Sequence, residues 1–365
     1  MTMAFEHTTL AQRVLFGAGR AAEDLAGEVR RRAAGRVMAI ASPSERHLAE
    51  QVCRDVDVAV WFDDVVQHVP VEKAEAARTV AAAHDVELLV CVGGGSTTGL
   101  AKAVALTTGI PIVAVPTTYA GSEATDVWGL TEARTKTTGV DGRVLPATVV
   151  YDATLTVSLP VELSVASGLN SLAHCVDSLW APRTDPINQA LALEGARALA
   201  RALPAVAADP TGLAGREQAL YGCYLAAVAF ASAGSGLHHK ICHVLGGTFD
   251  LPHAPTHATV LPHVLALNAP AVPELAGRLA AALGSPAIDG GDPAAAAGAA
   301  LGRLYAGLPT PSRLADLGFT EADVPEATAR VLAAAPPSNP VPVTDTNITS
   351  LLTDALTGAI PAPAG

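Results

Sequence analysis

Positive charge is scarce in this 365-residue chain. Lysine occurs only as Lys73, Lys102, Lys136 and Lys240, and the formal net charge is −12. With no basic stripe along it, nucleic acid is excluded as a partner. Charged residues of either sign make up only 16%, while half the chain is hydrophobic, which excludes disorder. Cysteine is sparse as well. Cys53, Cys91, Cys175, Cys223 and Cys242 are odd in number and scattered through apolar segments. That pattern fits reduced core thiols in a cytoplasm, not a disulfide framework. The first twenty residues lack a basic region followed by an apolar run, so no signal peptide is expected. One uncharged stretch, Ala219–Leu237, is long enough to span a membrane. Its Tyr221, Gly222, Tyr224, Ser232, Gly234 and Ser235 suit a buried central helix better, and no membrane partner is expected.

What the chain does have is two textures, and its length suggests two domains. Up to about Asp152, short β-branched runs (Val37–Ala41, Ala59–Phe62, Glu87–Val92, Pro111–Val115, Ala147–Tyr151) alternate with amphipathic segments such as Glu72–His84 and Ser96–Leu106. This alternation predicts a mostly parallel, Rossmann-like α/β domain over residues 1–157. After Pro160 the β signal fades into Ala/Leu-rich segments, Val161–Trp180, Pro186–Val206, Gly215–Ala233, Ala271–Leu283, Pro293–Gly307 and Glu321–Ala335. Alanine is the best helix former, so residues 158–365 read as an all-α domain. A Pro-rich loop, Ala334–Pro342, precedes a last helix expected to be capped by Thr346 or Asn347.

Two regions carry chemistry. Six of the eleven histidines fall within Gly236–His263, GLHHKICHVLGGTFDLPHAPTHATVLPH. His239 and His243 share a helix face at i,i+4, as do Asn170 and His174 upstream. His253 is expected in a loop and His257 at the opening of the next helix. Imidazoles both ligate metals and move protons near neutral pH. In the first half, an apolar strand ending at Cys91 runs into Gly93, Gly94 and Gly95, with a helix expected from Ser96. Such a turn lets backbone N–H groups approach a phosphate. A second loop, Pro116–Glu123, also follows an apolar strand, so both loops lie at the carboxyl edge of one sheet, where open α/β folds bind ligands.

The succession LFGAG, GGGSTTGLAK, PTTYAGSE, WGLTE, KTTG, SGLN, GLHHKICH and GGTFDLPHAPTHA resembles the iron-containing alcohol dehydrogenase superfamily, and within it the maleylacetate reductase branch. The likeness runs from Val14 to about Pro361. It implies a dehydroquinate-synthase-like fold with the active site in the interdomain cleft, a homodimer, and NADH- or NADPH-dependent reduction of maleylacetate to 3-oxoadipate in aromatic-compound breakdown. Carried over by residue, Gly93, Gly94, Gly95 and Ser96 would cradle the pyrophosphate, and Thr117, Thr118 and Ser122 would line the nicotinamide end. His243 matches a non-ligand histidine near the nicotinamide, hence the expected proton donor, with His174, His239 and His253 as its catalytic companions.

Metal-dependent relatives use an aspartate and three histidines, which match Asn170, His174, His239 and His253. Asparagine removes a full negative charge, so the site is a poor trap for Fe²⁺, although three histidines can still hold Zn²⁺, and most activity is expected to survive chelation. The two substrate carboxylates need cationic or N–H partners, for which Tyr119, Lys240, His238, His257, Arg183 and Asn170 are candidates. Ala124, Asp126, Pro255 and Val341 depart from the branch pattern, which leaves room for a related reductase of another enone or ketone. An inactive cofactor-binding paralogue is the reading from another class. After the second strand Ser42, Ser44 and Arg46 offer no acid at the immediate strand end, so either nicotinamide cofactor is expected to be used, with a modest NADH preference.

Overall fold

The computed structural model describes residues 4–132, 135–285 and 291–359. They divide into two compact units: Leu10–Leu159 form one, and the described residues before and after it form the other.

In the first unit the strands are β1 (Arg13–Phe16), β2 (Val37–Ile40), β3 (Val58–Phe62), β4 (Leu88–Gly93), β5 (Ile112–Pro116), β6 (Val127–Glu132), β7 (Thr135–Val140) and β8 (Thr148–Tyr151). The helices are α1 (Ala21–Arg31), α2 (Arg46–Val52), α3 (Val71–Ala83) and α4 (Gly95–Thr108). Six strands form a parallel sheet in the order β1-β8-β5-β4-β2-β3. Strands β2, β4, β5 and β8 are buried along their whole length, as strands covered on both faces must be, and this explains their largely apolar sequence. The chain runs outward from β2 to β3, returns to β4, then proceeds the other way through β5. The reversal leaves a crevice at the carboxyl ends of β2 and β4, the usual ligand position in such sheets. A small antiparallel hairpin, β6–β7, carries the WGLTE and KTTG segments. Periodicity had not revealed it, because its threonines and glycines alternate only weakly.

The second unit is helical: α5 (Val161–Ser178), α6 (Pro186–Ala208), α7 (Leu213–Ala233), α8 (Leu237–Phe249), α9 (His253–Asn268), α10 (Pro273–Ala282), α11 (Pro293–Ala306), α12 (Val324–Ala334) and α13 (Asp345–Thr357). Helix α5 is buried from Ser164 to Ser178 and contributes Leu169, Leu172 and Val176 to a core shared with α6, α7 and α9. The N-terminal segment joins this unit through His7, whose Nδ1 lies 2.8 Å from Asp185.

Local expectations are corrected at several places. Ala219–Leu237 is not one helix: it breaks at Gly234, where φ is +86°, and α7 and α8 meet at a 98° bend. No single described helix is long and apolar enough to cross a membrane. The last helix is capped by Thr344, whose Oγ1 accepts the Asn347 N–H at 3.3 Å, not by Thr346 or Asn347. Helix α4 starts at Gly95, one residue before Ser96.

Candidate active site

At the carboxyl edge of the sheet, β4 delivers Gly93 at φ +153°, a conformation that suits glycine. A Cβ there would also lie 2.6 Å from Glu45 Oε2 and 2.8 Å from Thr97 Cβ, so the turn is closed to any larger residue. Gly94 caps α4 without a side-chain bond, and the first turn of the helix holds no acidic residue. Its leading N–H groups are therefore available to an anion. The second loop packs directly on the first. Thr117 N donates to Gly93 O at 3.3 Å, and a Cβ on Gly94 would stand 3.0 Å from Thr118 Cγ2. Gly93, Gly94, Gly95, Thr117 and Thr118 are thus one constellation.

Glu45 is the residue the sequence reading missed. It stands three positions past Ser42, yet its carboxylate turns back over Gly93, accepts from Thr117 Oγ1, and lies 3.2 Å from Ser42 Oγ, which would donate to it. An acid therefore does stand in the crevice, contrary to the expectation drawn from the strand end. Ser42 also meets Ser44 Oγ at 2.9 Å. Lys102, conspicuous in sequence, is fully buried and structural: Nζ donates to Thr125 O and Val127 O, both at 2.8 Å. Burial pulls its pKa down to about 7 against the opposing pull of Glu123 and Asp126. Asp126 is thus close enough for its charge to act on Lys102. Ala124, another departure from the branch pattern, is a core residue.

In the helical unit, α5 presents Asn170, His174 and Asp177 at i, i+4 and i+7. Helix α8 supplies His238, His239, Cys242 and His243, and α9 supplies His253 and His257. Helix α9 begins at His253, so this residue is not in a loop and His257 lies one turn inside the helix. The imidazoles form a contiguous array. Ring centroids of His174 and His239 are 4.8 Å apart, His239 and His257 4.9 Å, His253 and His257 4.5 Å, and His239 and His243 6.1 Å. Phe230 stacks on His174 at 4.8 Å. His243 and His253 are exposed, whereas His174, His238, His239 and His257 are buried.

Asp177, also missed in the sequence, organises this array. Its carboxylate accepts N–H of Gly236 at 2.8 Å and of His238 at 3.3 Å, and lies 2.7 Å from His239 Nδ1. It thereby holds the N-terminus of α8 and orients the His239 ring. A Cβ on Gly236 would stand 2.7 Å from Asp177 Cγ, which is why glycine precedes α8. The available signal was an acid one turn beyond His174, in a helix whose other acid, Glu162, lies in its first turn. Burial pushes Asp177 up to about 7, against the pull of those N–H donors and of Lys240. Burial also lowers His174 and His238 to about 3, and His239 and His257 well below the ordinary imidazole value. The buried array is therefore uncharged near neutrality. His174 Nδ1, His239 Nε2 and Asn170 Oδ1 have no hydrogen-bond partner.

Four candidates for the substrate carboxylates, Tyr119, Arg183, His238 and His257, are engaged within the fold instead. Tyr119 is fully buried with its hydroxyl donating to Thr156 Oγ1 at 3.2 Å. Arg183 donates to the backbone oxygens of Ala231 and Ser232 at the end of α7. His257 is buried against His238, its Nδ1 3.0 Å from His238 Nε2. Lys240 is half-buried, close enough to Asp177 for its charge to act there. His263 is buried within reach of the charge of Asp354 on α13.

An α/β unit with an anion-receiving turn, carried in one chain with a helical unit that gathers imidazoles, defines a dehydrogenase-type oxidoreductase. Residues 11–153 match the iron-containing alcohol dehydrogenase family, and residues 164–356 match the C-terminal part of the same family. The maleylacetate reductase of Sphingobium indicum is 46% identical, over 99% of this chain and all of its own. A solved iron-containing alcohol dehydrogenase from Corynebacterium glutamicum is 57% identical, with TM-score 0.94 over 98% of both chains. The maleylacetate reductase of a Rhizobium species is 40% identical, with TM-score 0.91 over 99% of this chain and 100% of its own. The chain belongs to the iron-containing alcohol dehydrogenase family, in its maleylacetate reductase branch.

The family name raises the question of iron, and the residues present fit it poorly. The four matching positions offer three imidazoles and the Asn170 amide, with no anionic ligand for a hard divalent ion. Asp177, the neighbouring carboxylate, is committed to Gly236, His238 and His239. The engaged Nδ1 and open Nε2 of His239 are ligand-like, but the same arrangement serves a hydrogen bond to a substrate oxygen.

Proposed function

We propose that this enzyme reduces maleylacetate to 3-oxoadipate with NADH, a late step in aromatic-ring breakdown, in the cytoplasm and as a homodimer. Five buried cysteines, none in a disulfide, support the compartment, and the dimer rests on family resemblance. The observation that carries the chemistry is the Asp177–His239 pair, a buried imidazole with Nδ1 engaged and Nε2 open, among donors that lack an anionic metal ligand.

The nicotinamide cofactor supplies a hydride. The turn fits it: Gly94, Gly95 and Ser96 would hold the pyrophosphate with backbone N–H groups, and Thr117, Thr118 and Ser122 would line the nicotinamide end. Glu45 would accept from a ribose hydroxyl and repel a 2′-phosphate, which turns the expected dual use into a clear NADH preference. Hydride addition to the alkene carbon β to the ketone leaves an enolate. When the Asp177–His239 pair carries one extra proton, His239 presents Nε2–H to that oxygen. The pair, not either residue alone, holds this proton. Exposed His243 then protonates the carbon beside the ketone, with His174 and His253 completing the array and Lys240 the candidate cation for a substrate carboxylate.

Loss of NADH absorbance on adding maleylacetate, with 3-oxoadipate as product, is the expected result. Turnover of a different enone but not of maleylacetate would reassign the substrate. NADH binding without turnover of any enone or ketone would make the chain an inactive paralogue.

A further inference from the structure

We propose that His238, Cys242 and His257 form a binding site for a soft divalent cation such as Zn²⁺, separate from the four positions used by metal-dependent relatives. His238 and Cys242 lie four residues apart on α8 and face the same way. Helix α9 brings His257 against them, and all three are buried. His238 Nε2 is 3.0 Å from His257 Nδ1 and 3.6 Å from Cys242 Sγ, and the three donor atoms all lie within 4.8 Å of one another. Tetrahedral zinc, with Zn–N about 2.0 Å and Zn–S about 2.3 Å, separates two nitrogens by about 3.3 Å and nitrogen from sulfur by about 3.5 Å. The two separations from His238 come within roughly 0.3 Å of that geometry, and His257 and Cys242 lie within 4.8 Å of each other, so a small adjustment of these side chains closes the set around the ion.

The donor chemistry selects the ion. One sulfur and two imidazoles favour zinc or cobalt over magnesium or calcium. Binding converts the Cys242 thiol to thiolate and releases one proton. The hydrogen shared between His238 Nε2 and His257 Nδ1 moves to an outer nitrogen, leaving His238 Nδ1 and His257 Nε2 both protonated. Neither outer atom has a hydrogen-bond partner now. The fourth position of the tetrahedron is left for water or a neighbouring group. Because the His257 ring lies 4.5 Å from His253 and 4.9 Å from His239, occupancy is expected to lower turnover as well.

The test is to produce the full chain in medium with Co²⁺ replacing Zn²⁺, then measure bound metal and the near-ultraviolet thiolate-to-cobalt charge-transfer band. About one cobalt per chain with that band is expected. Cys242→Ala should abolish the band and lower retained metal at least tenfold, with circular dichroism unchanged. Wild-type protein without the band, or a band that survives in Cys242→Ala, overturns the proposal. So does metal that is lost from His174→Ala but kept in Cys242→Ala, since that places the ion on the family's positions. Should Cys242→Ala misfold, the wild-type band and its loss in His257→Ala decide the matter. None of these readouts depends on the substrate.

Discussion

At the carboxyl edge of the parallel sheet, recognition is built from backbone: Gly93 at φ +153°, an uncapped α4 N-terminus, and threonine hydroxyls on the adjoining loop. In the helical unit it is built from side chains, imidazoles from three helices, with the Asp177 carboxylate holding the His239 ring and the start of α8. The first site sets a carboxylate, Glu45, over Gly93, where a ligand's charge must be judged. The second is neutralised by burial, which suits an oxygen that gains charge only during reaction. A backbone site is intolerant of added atoms but electrically simple. A side-chain site tolerates little change in protonation.

The sharpest way to break this comparison is His243→Ala. It should lower kcat by ~10²–10⁴ while leaving NADH affinity nearly intact, because a positioned proton donor contributes about that much. His243→Asn should rescue little. Near wild-type kcat in steady-state kinetics would move the assignment to His253. Next, Asp177→Asn should lower kcat/KM by ~10–100-fold, the usual cost of losing a group that orients a reactive imidazole. Gly236→Ala should reproduce that loss, since its Cβ would drive against the same carboxylate. If Gly236→Ala is silent, Asp177 is not the organiser.

Stability should follow the buried imidazoles. Their folded pKa values lie below the unfolded value near 6.5, so their contribution is full above that pH. It is lost as pH falls toward about 3, because the unfolded chain takes up protons first. Asp177, raised to about 7, acts in the opposite sense between pH 7 and its unfolded value near 4, but it is one group against several. Each histidine weakens the fold by up to about 1.4 kcal/mol per pH unit in that window. Urea denaturation at pH 7.5 and 5.5 should therefore show a net fall in stability, and equal midpoints would contradict the neutral array.

At the other site, Glu45→Gln should raise the NADPH-to-NADH ratio of kcat/KM by ~10-fold, equivalent to about 1.4 kcal/mol. An unchanged ratio would mean that the carboxylate never faces the ribose. The smallest loss is expected from prolonged chelation, after which turnover should fall by no more than about twofold, since Asn170 supplies no charge to retain iron. Loss of activity that is restored by added iron would reverse that reading.

The alternation of β-branched and amphipathic runs made the parallel sheet legible, and the density of histidines marked the chemical half. Both are local signals, fixed by residue periodicity and composition. The motif order carried the family. What periodicity could not show is where a side chain turns once the backbone is in place. Glu45 looked irrelevant five residues past the end of β2 until the loop folded it over Gly93. Asp177 looked like an ordinary acid until α8 set its N-terminus against it. Tyr119 and Arg183 sat in or beside recognisable motifs, yet packing buried one and the end of α7 engaged the other. Charge state belongs to the same category. The histidines announced proton chemistry in the sequence, but their neutrality comes from desolvation, which exists only after the helices have closed around them.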